Sequence, residues 1–303
     1  AAEDALSAYQ KRQIDVIKRQ GTITDPKLKT VGTDIPIFPE ELKSAIELSM
    51  QGTKSMEDRT KKLSEISELF YKASGGDRPS MDAIKAKNPQ ELLADIQVLE
   101  AIAMVLKEYD SQSSAYMMES FLALLYGGFQ AGKVKTSKGK QGAVDFTAKI
   151  NGVLELGSAK FYKSYTGISQ SAQGFVDAAH DPKSPKSITY IVGLKKQSAE
   201  QMSTIDKGAT SAPEKIMGVQ IHLVKYSISK PELDDKNSAV LTNTSTGDDV
   251  QYTKDDKLDI SSDIKAGAST QYPLYLAQLR TKTFREMVDG SINEELEGVG
   301  QAY

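Results

Sequence analysis

Residues 142–162 read GAVDFTAKINGVLELGSAKFY, and this stretch decides the fold. Its first half alternates: Val144, Phe146, Ala148 and Ile150 fall on one side, and Asp145, Thr147 and Lys149 on the other, the period-two pattern of a half-buried strand. Asn151-Gly152 follows, a strong hairpin signal because both residue types tolerate positive φ. An antiparallel hairpin is therefore predicted over 143–162. A two-residue turn sets Ile150 opposite Val153, Ala148 opposite Glu155 and Asp145 near Ser158. In that register the two acids, Asp145 and Glu155, are not side by side; a bulge or bend near Gly157 is needed to bring them to one pocket.

Downstream, SITYIVGLKK (187–196) is a continuous apolar run suited to a central strand, and GVQIHLVKYSI (218–228) reads as another. Residues 168–179 can form a helix between them. Upstream, the spacing is helical from the start to about residue 128. Leu6, Tyr9, Ile14 and Ile17 recur at near-helical intervals, and Pro39 can open a helix reaching about Met50. Ser55 and Asp58 form a capping pattern ahead of Leu63, Ile66, Leu69 and Phe70. Asn88-Pro89 starts a third amphipathic segment, and a fourth runs from about Ser113 to Gly127-Gly128.

Between 229 and 263 the composition shifts to nine acids against four lysines, read as a solvated excursion or small β appendage, before a final helix from about Pro273 to Leu296. The expected fold is thus α+β, in three parts. A helical N-terminal region (1–112) offers a surface for oligomer assembly. An α/β core (113–228) carries a mixed sheet flanked by helices, and 229–303 hold the acidic excursion and the C-terminal helix.

Composition excludes several chemistries. The 303 residues suit about two domains. There is no cysteine, which removes disulfides, thiolate zinc sites and a cysteine nucleophile. Two histidines, His180 and His222, lie far apart without helix-borne zinc spacing, and His222 on an apolar strand reads as a hydrogen-bonded structural residue. No apolar run approaches the roughly 18 residues of a membrane helix. With 38 basic and 41 acidic side chains the net charge is −3, so any polyanion site must be local. Such a local excess exists: residues 131–163 hold seven lysines against two acids. GGFQAGK (127–133) lacks the strand before it and the hydroxyl residue after it that a phosphate-binding loop needs.

YMMESFLALLYGG, then GAVDF, then GVLELGSAKFYK, together resemble the PD-(D/E)XK nuclease-like superfamily, with its restriction endonuclease-like core. The resemblance spans about residues 113–228. It implies a helix glutamate at Glu119, a strand aspartate at Asp145 and, at Glu155, the acid of a Glu-x-Lys half-motif. It further implies Mg²⁺ (or Mn²⁺) held by Asp145, Glu155 and the Leu156 carbonyl, with DNA as partner. Lys133, Lys135, Lys138, Lys140 and Lys163 would then grip phosphates.

The half-motif lysine should stand at 157, where this chain has Gly157. Three alternatives are open. Lys160, of opposite parity, reaches the site through a bulge; the site has lost its lysine and cuts poorly or not at all, in which case Gly157→Lys restores cutting; or the position has been substituted. Two function classes follow: a metal-dependent DNA nuclease impaired at Gly157, and a non-catalytic phage virion, assembly or interaction protein on a nuclease-like core. The charged first twenty residues carry no secretory pattern, so the expected compartment is the cytoplasm, or host cytoplasm and virion for a phage product. Asp145, Glu155 and Glu119 also have a plain reading as polar-face residues, and the lysine-rich loop as a solvated one.

Overall fold

The computed structural model describes residues 40–107, 112–127, 129–130, 145–162, 167–182, 184–196, 218–232 and 235–275. They divide into two compact units, one drawn from 1–53, 62–121 and 275–303 and the other from 54–61 and 122–274. The boundaries differ from a division at 112 and 228, because the stretch after 228 shares the unit of the hairpin.

The first unit is helical. It contains α1 (Glu40–Ser49), most of α2 (Met56–Ser74), α3 (Arg78–Lys85), α4 (Pro89–Lys107) and most of α5 (Gln112–Leu125). Local chemistry places their starts. Ser55 Oγ accepts from Asp58 N–H at 3.0 Å, and the Asp58 carboxylate accepts in return from Lys54 N–H at 2.9 Å, which satisfies two donors at the start of α2. Asp77 caps α3 by accepting from Ser80 N–H and from the Ser80 hydroxyl, and the hydroxyl first and the N–H second hold its carboxyl below the usual range. Leu42, Ile46, Phe70, Leu92, Val98 and Ile102 are buried in this unit. Asp95, 2 % exposed, is paired with Lys87 at 2.7 Å, so its buried carboxylate has a partner.

The second unit is built on one mixed sheet ordered β1-β2-β3-β5-β6-β7-β8, with β10 also paired to β6. Its strands are β1 (Phe129–Gln130), β2 (Phe146–Ile150), β3 (Val153–Tyr162), β5 (Ser187–Lys196), β6 (Gly218–Ser229), β7 (Ser238–Asn243), β8 (Asp249–Thr253) and β10 (Thr270–Tyr275). The hairpin turn is as expected: Asn151 and Gly152 have φ of 51° and 80°. So is the register, with Ile150 opposite Val153 and Ala148 opposite Glu155. β3 and β5 are parallel, which requires a crossover, and α6 (Gln173–His180) lies within it. β5 runs between β3 and β6, and burial on both faces explains its unbroken apolar sequence.

One face of this sheet packs Ile188, Tyr190, Val192, Val224 and Tyr226 against Phe175 and Val176 of α6 and Ile264 of α7 (Ile260–Lys265). Tyr190 meets Phe175 and Tyr226 edge-on, at centroid separations of 6.3 and 6.0 Å. On the other face Phe146 stacks on Tyr126 at 5.8 Å, and the Tyr126 hydroxyl shares a 2.7 Å hydrogen bond with Thr60. Arg59 donates to the Leu125 carbonyl at 2.6 Å, a cation at the open end of α5.

Three segments depart from the sequence expectation. Residues 168–179 are a short strand, β4 (Ser169–Ser171), followed by α6. The acid-rich stretch is no appendage: β7 and β8 extend the main sheet beyond β6, while β9 (Lys257–Asp259) pairs with β4. β8 is mostly exposed and lies at the end of the strand order, so its polar composition is that of an edge. Pro273 lies within strand β10 instead of opening a helix, and the rest of the expected C-terminal helix is outside the described residues.

Candidate functional site

Asp145 stands just before β2, where the ladder is irregular. Its N–H donates to the Gly157 carbonyl at 3.0 Å, although Gly157 is the register partner of Phe146. Two consecutive residues therefore address one position, as in a bulge. The Asp145 carboxylate turns toward β3, and its Oδ2 accepts from Ser158 Oγ at 2.7 Å, Ala159 N–H at 2.8 Å and Lys160 Nζ at 3.1 Å. No donor among the described residues reaches its Oδ1. Lys160 and Asp145 are about one-fifth exposed, 22 % and 21 %, so the pair is open to solvent without being free in it.

Glu155 does not join them. It shares the parity of Gly157, and Gly157, Thr189 and Lys225 form one row across β3, β5 and β6. Its Oε1 accepts from Lys225 Nζ at 2.9 Å. Ser158 and Lys160 have the opposite parity, in register with Tyr190 and Val192. The two acids are thus held by different lysines from opposite faces of the sheet, and the expected convergence of Asp145 and Glu155 on one pocket is not found. Leu156 is paired on both sides, with Thr147 and Ile188, and packs onto the core, which places its backbone inside the ladder.

The bulge does bring Lys160 to an acid, but the acid is Asp145. Gly157 cannot host the expected lysine: a Cβ there would fall 2.3 Å from the Phe146 ring, which is fully buried. The glycine belongs to the packing of this hairpin. Ser158 and Lys160, two residues apart on one face of β3, are the side chains that reach Asp145. The sequence held a signal for this pairing, since the two-residue turn already placed Asp145 near Ser158.

Tyr190, paired with Ser158 on the neighbouring strand, adds a buried hydroxyl with no hydrogen-bond partner among the described residues. Burial first, and the Asp145 charge second, push its ionisation up, so it remains a neutral phenol.

Glu119 is half-buried on α5 and belongs to the first unit. Lys133, Lys135, Lys138, Lys140 and Lys163 lie outside the described residues. His222 is buried, with Nδ1 3.1 Å from Ser269 Oγ, in keeping with a structural role. Among the described residues no three His, Asp or Glu side chains gather into a metal-holding group, and no helix is long and apolar enough to cross a membrane. Comparison with protein-family models, curated proteins and solved structures finds no match to the chain.

Proposed function

We propose that the second unit is a nuclease-like core acting on DNA phosphodiesters, with Asp145, Ser158 and Lys160 as its centre and with slow cleavage. The observation that supports this reading most directly is the 3.1 Å contact between Lys160 of β3 and Asp145, just before β2, beside Ser158 in the acid position of an acid-x-Lys spacing.

The donor set suits Mg²⁺ or Mn²⁺ only in a substrate-assisted form, because Mg²⁺ commonly takes one or two carboxylates and completes its shell with water and phosphate oxygens. Asp145 through Oδ1 would hold the ion, which would neutralise charge on the phosphodiester, while Ser158, fully buried, keeps the carboxylate in place. Lys160 would orient the attacking water and stabilise charge developing on the phosphate. Ser158 and the Ala159 N–H fix the Asp145 carboxylate, so that its free oxygen keeps one direction. A serine where an acid would stand removes one carboxylate from the set, and weak ion affinity and slow turnover follow. The lysine-rich segment 133–140 would supply phosphate affinity.

The second reading, a non-catalytic assembly or interaction protein on the same core, is favoured by the pairing of both acids with lysines. Plasmid nicking in Mg²⁺, Mn²⁺ and EDTA separates the two. Metal-dependent nicking that Lys160→Ala and Asp145→Ala both remove supports the enzyme; binding of DNA without any nicking supports the second reading; nicking that survives Asp145→Ala defeats the assignment.

A further inference from the structure

The face of the sheet opposite Lys160 carries a cavity of about 390 Å³ within the second unit, and the nuclease reading makes no use of it. Glu155, Lys225, Thr189, Thr270 and Ser245 line it, with Glu57 from the first turn of α2. The polar groups gathered on its wall mark it as a site. Thr189, 3 % exposed, lines it together with Thr270, Ser245 and Glu155, and only one Glu155 oxygen, Oε1, receives the Lys225 ammonium. Hydroxyls and a carboxylate that converge on one cavity are where a ligand or water supplies hydrogen bonds.

We propose that this cavity binds a neutral, polyhydroxylated molecule of monosaccharide size, either a free sugar or the ribose of a nucleoside. The charges choose the class. Glu155 and Glu57 disfavour a phosphate or carboxylate, and the single cation, Lys225, is already paired with Glu155 at 2.9 Å. The ammonium disfavours a cationic ligand for the same reason. Apolar molecules would leave several hydroxyls unpaired, since the apolar side chains in the lining are Met56 and Leu223. A ring with vicinal hydroxyls instead gives donors to Glu155 and acceptors to Lys225, Thr189 and Thr270, a complementarity that needs no change in the ion pair. The volume lies within the range of small-molecule sites.

The proposal stands apart from the nuclease reading, and so does its test. The full chain is titrated by isothermal calorimetry and by ligand-observed NMR with D-ribose, D-glucose, uridine and inorganic phosphate. Saturable binding of at least one of the first three is expected, with uridine tighter than ribose if a nucleoside is the source. Thr189→Val keeps the side-chain shape without the hydroxyl and should weaken that binding about tenfold; Thr270→Val should weaken it as well, and Asp145→Asn should not. No saturable binding of ribose, glucose or uridine, binding of phosphate alone, or binding indifferent to both threonine variants would overturn it.

Discussion

The ring of Phe146 occupies the space that the first carbon of any side chain at Gly157 would need, with three ring atoms inside 3 Å of that position. Phe146 is fully buried and stacked on Tyr126, so it has no direction in which to yield. Gly157→Ala should therefore destabilise the protein by about 1–3 kcal/mol, the usual cost of overpacking a filled core. Gly157→Lys should do worse and should not gain nuclease activity. Chemical denaturation midpoints of the single variants and of Gly157→Ala with Phe146→Leu check this, because a smaller side chain at 146 should recover part of the loss.

Ser158→Glu tests the register of the proposed centre. A second carboxylate beside Asp145 should raise Mn²⁺ affinity and speed metal-dependent nicking by about 10² or more, the scale on which single electrostatic groups act. Without metal the same variant buries two like charges and should be less stable. A melting temperature that falls in EDTA and recovers in Mn²⁺ is the expected pattern, read by thermal scanning of the purified protein.

Glu155→Gln should leave nicking unchanged, because Glu155 faces Lys225 across the sheet from Lys160. Its effect on stability should stay below about 1 kcal/mol, since Lys225 is 39 % exposed and solvent screens the pair. Parallel nicking assays and denaturation curves of Glu155→Gln and Lys160→Ala make the comparison.

Tyr190→Phe should stabilise the fold by about 1 kcal/mol at neutral pH, because it removes a buried hydroxyl that no described group satisfies. The variant also bears on alkaline stability. Burial raises the Tyr190 phenol well above the ordinary tyrosine range, and Tyr126 and Tyr226 are raised by burial too. A raised folded value means that the unfolded chain releases its proton first, so the stabilisation is whole below about pH 10 and is lost as pH rises above it. Denaturation midpoints should fall steadily from pH 9 to 11 in the parent chain, and less steeply in Tyr190→Phe.

The hairpin shows what a single sequence discloses. Its turn, strands and pairing all followed from Asn151-Gly152 and period-two alternation, because these signals are local. The helix starts at Ser55 and Pro89 were legible for the same reason. Long-range pairing was not: nothing in SAVLTN or DVQYT announces that β7 and β8 continue the sheet of β6, since an exposed edge strand has weak apolar patterning. At Pro273 two local rules compete, a helix-opening proline against extended backbone before proline, and pairing with β6 settles it as strand. The candidate site was half legible. Asp145 and Lys160 were identified, but their partnership depends on a bulge, and a bulge depends on where a buried ring sits.

β3 serves two surfaces at once: its odd positions give Glu155 to the cavity side, and its even positions give Ser158 and Lys160 to Asp145. Loss of one residue between 155 and 158, with the C-terminal half of the strand held in place, would invert the parity of everything before the gap. Glu155 would leave Lys225 and turn to the side of Lys160. One codon thus separates this chain from a neighbour in sequence space that carries two acids and a lysine on a single face, at the cost of an emptied cavity wall on the other. An in-frame deletion of that kind is a short mutational route along which a lineage would exchange one surface chemistry for the other without a new fold.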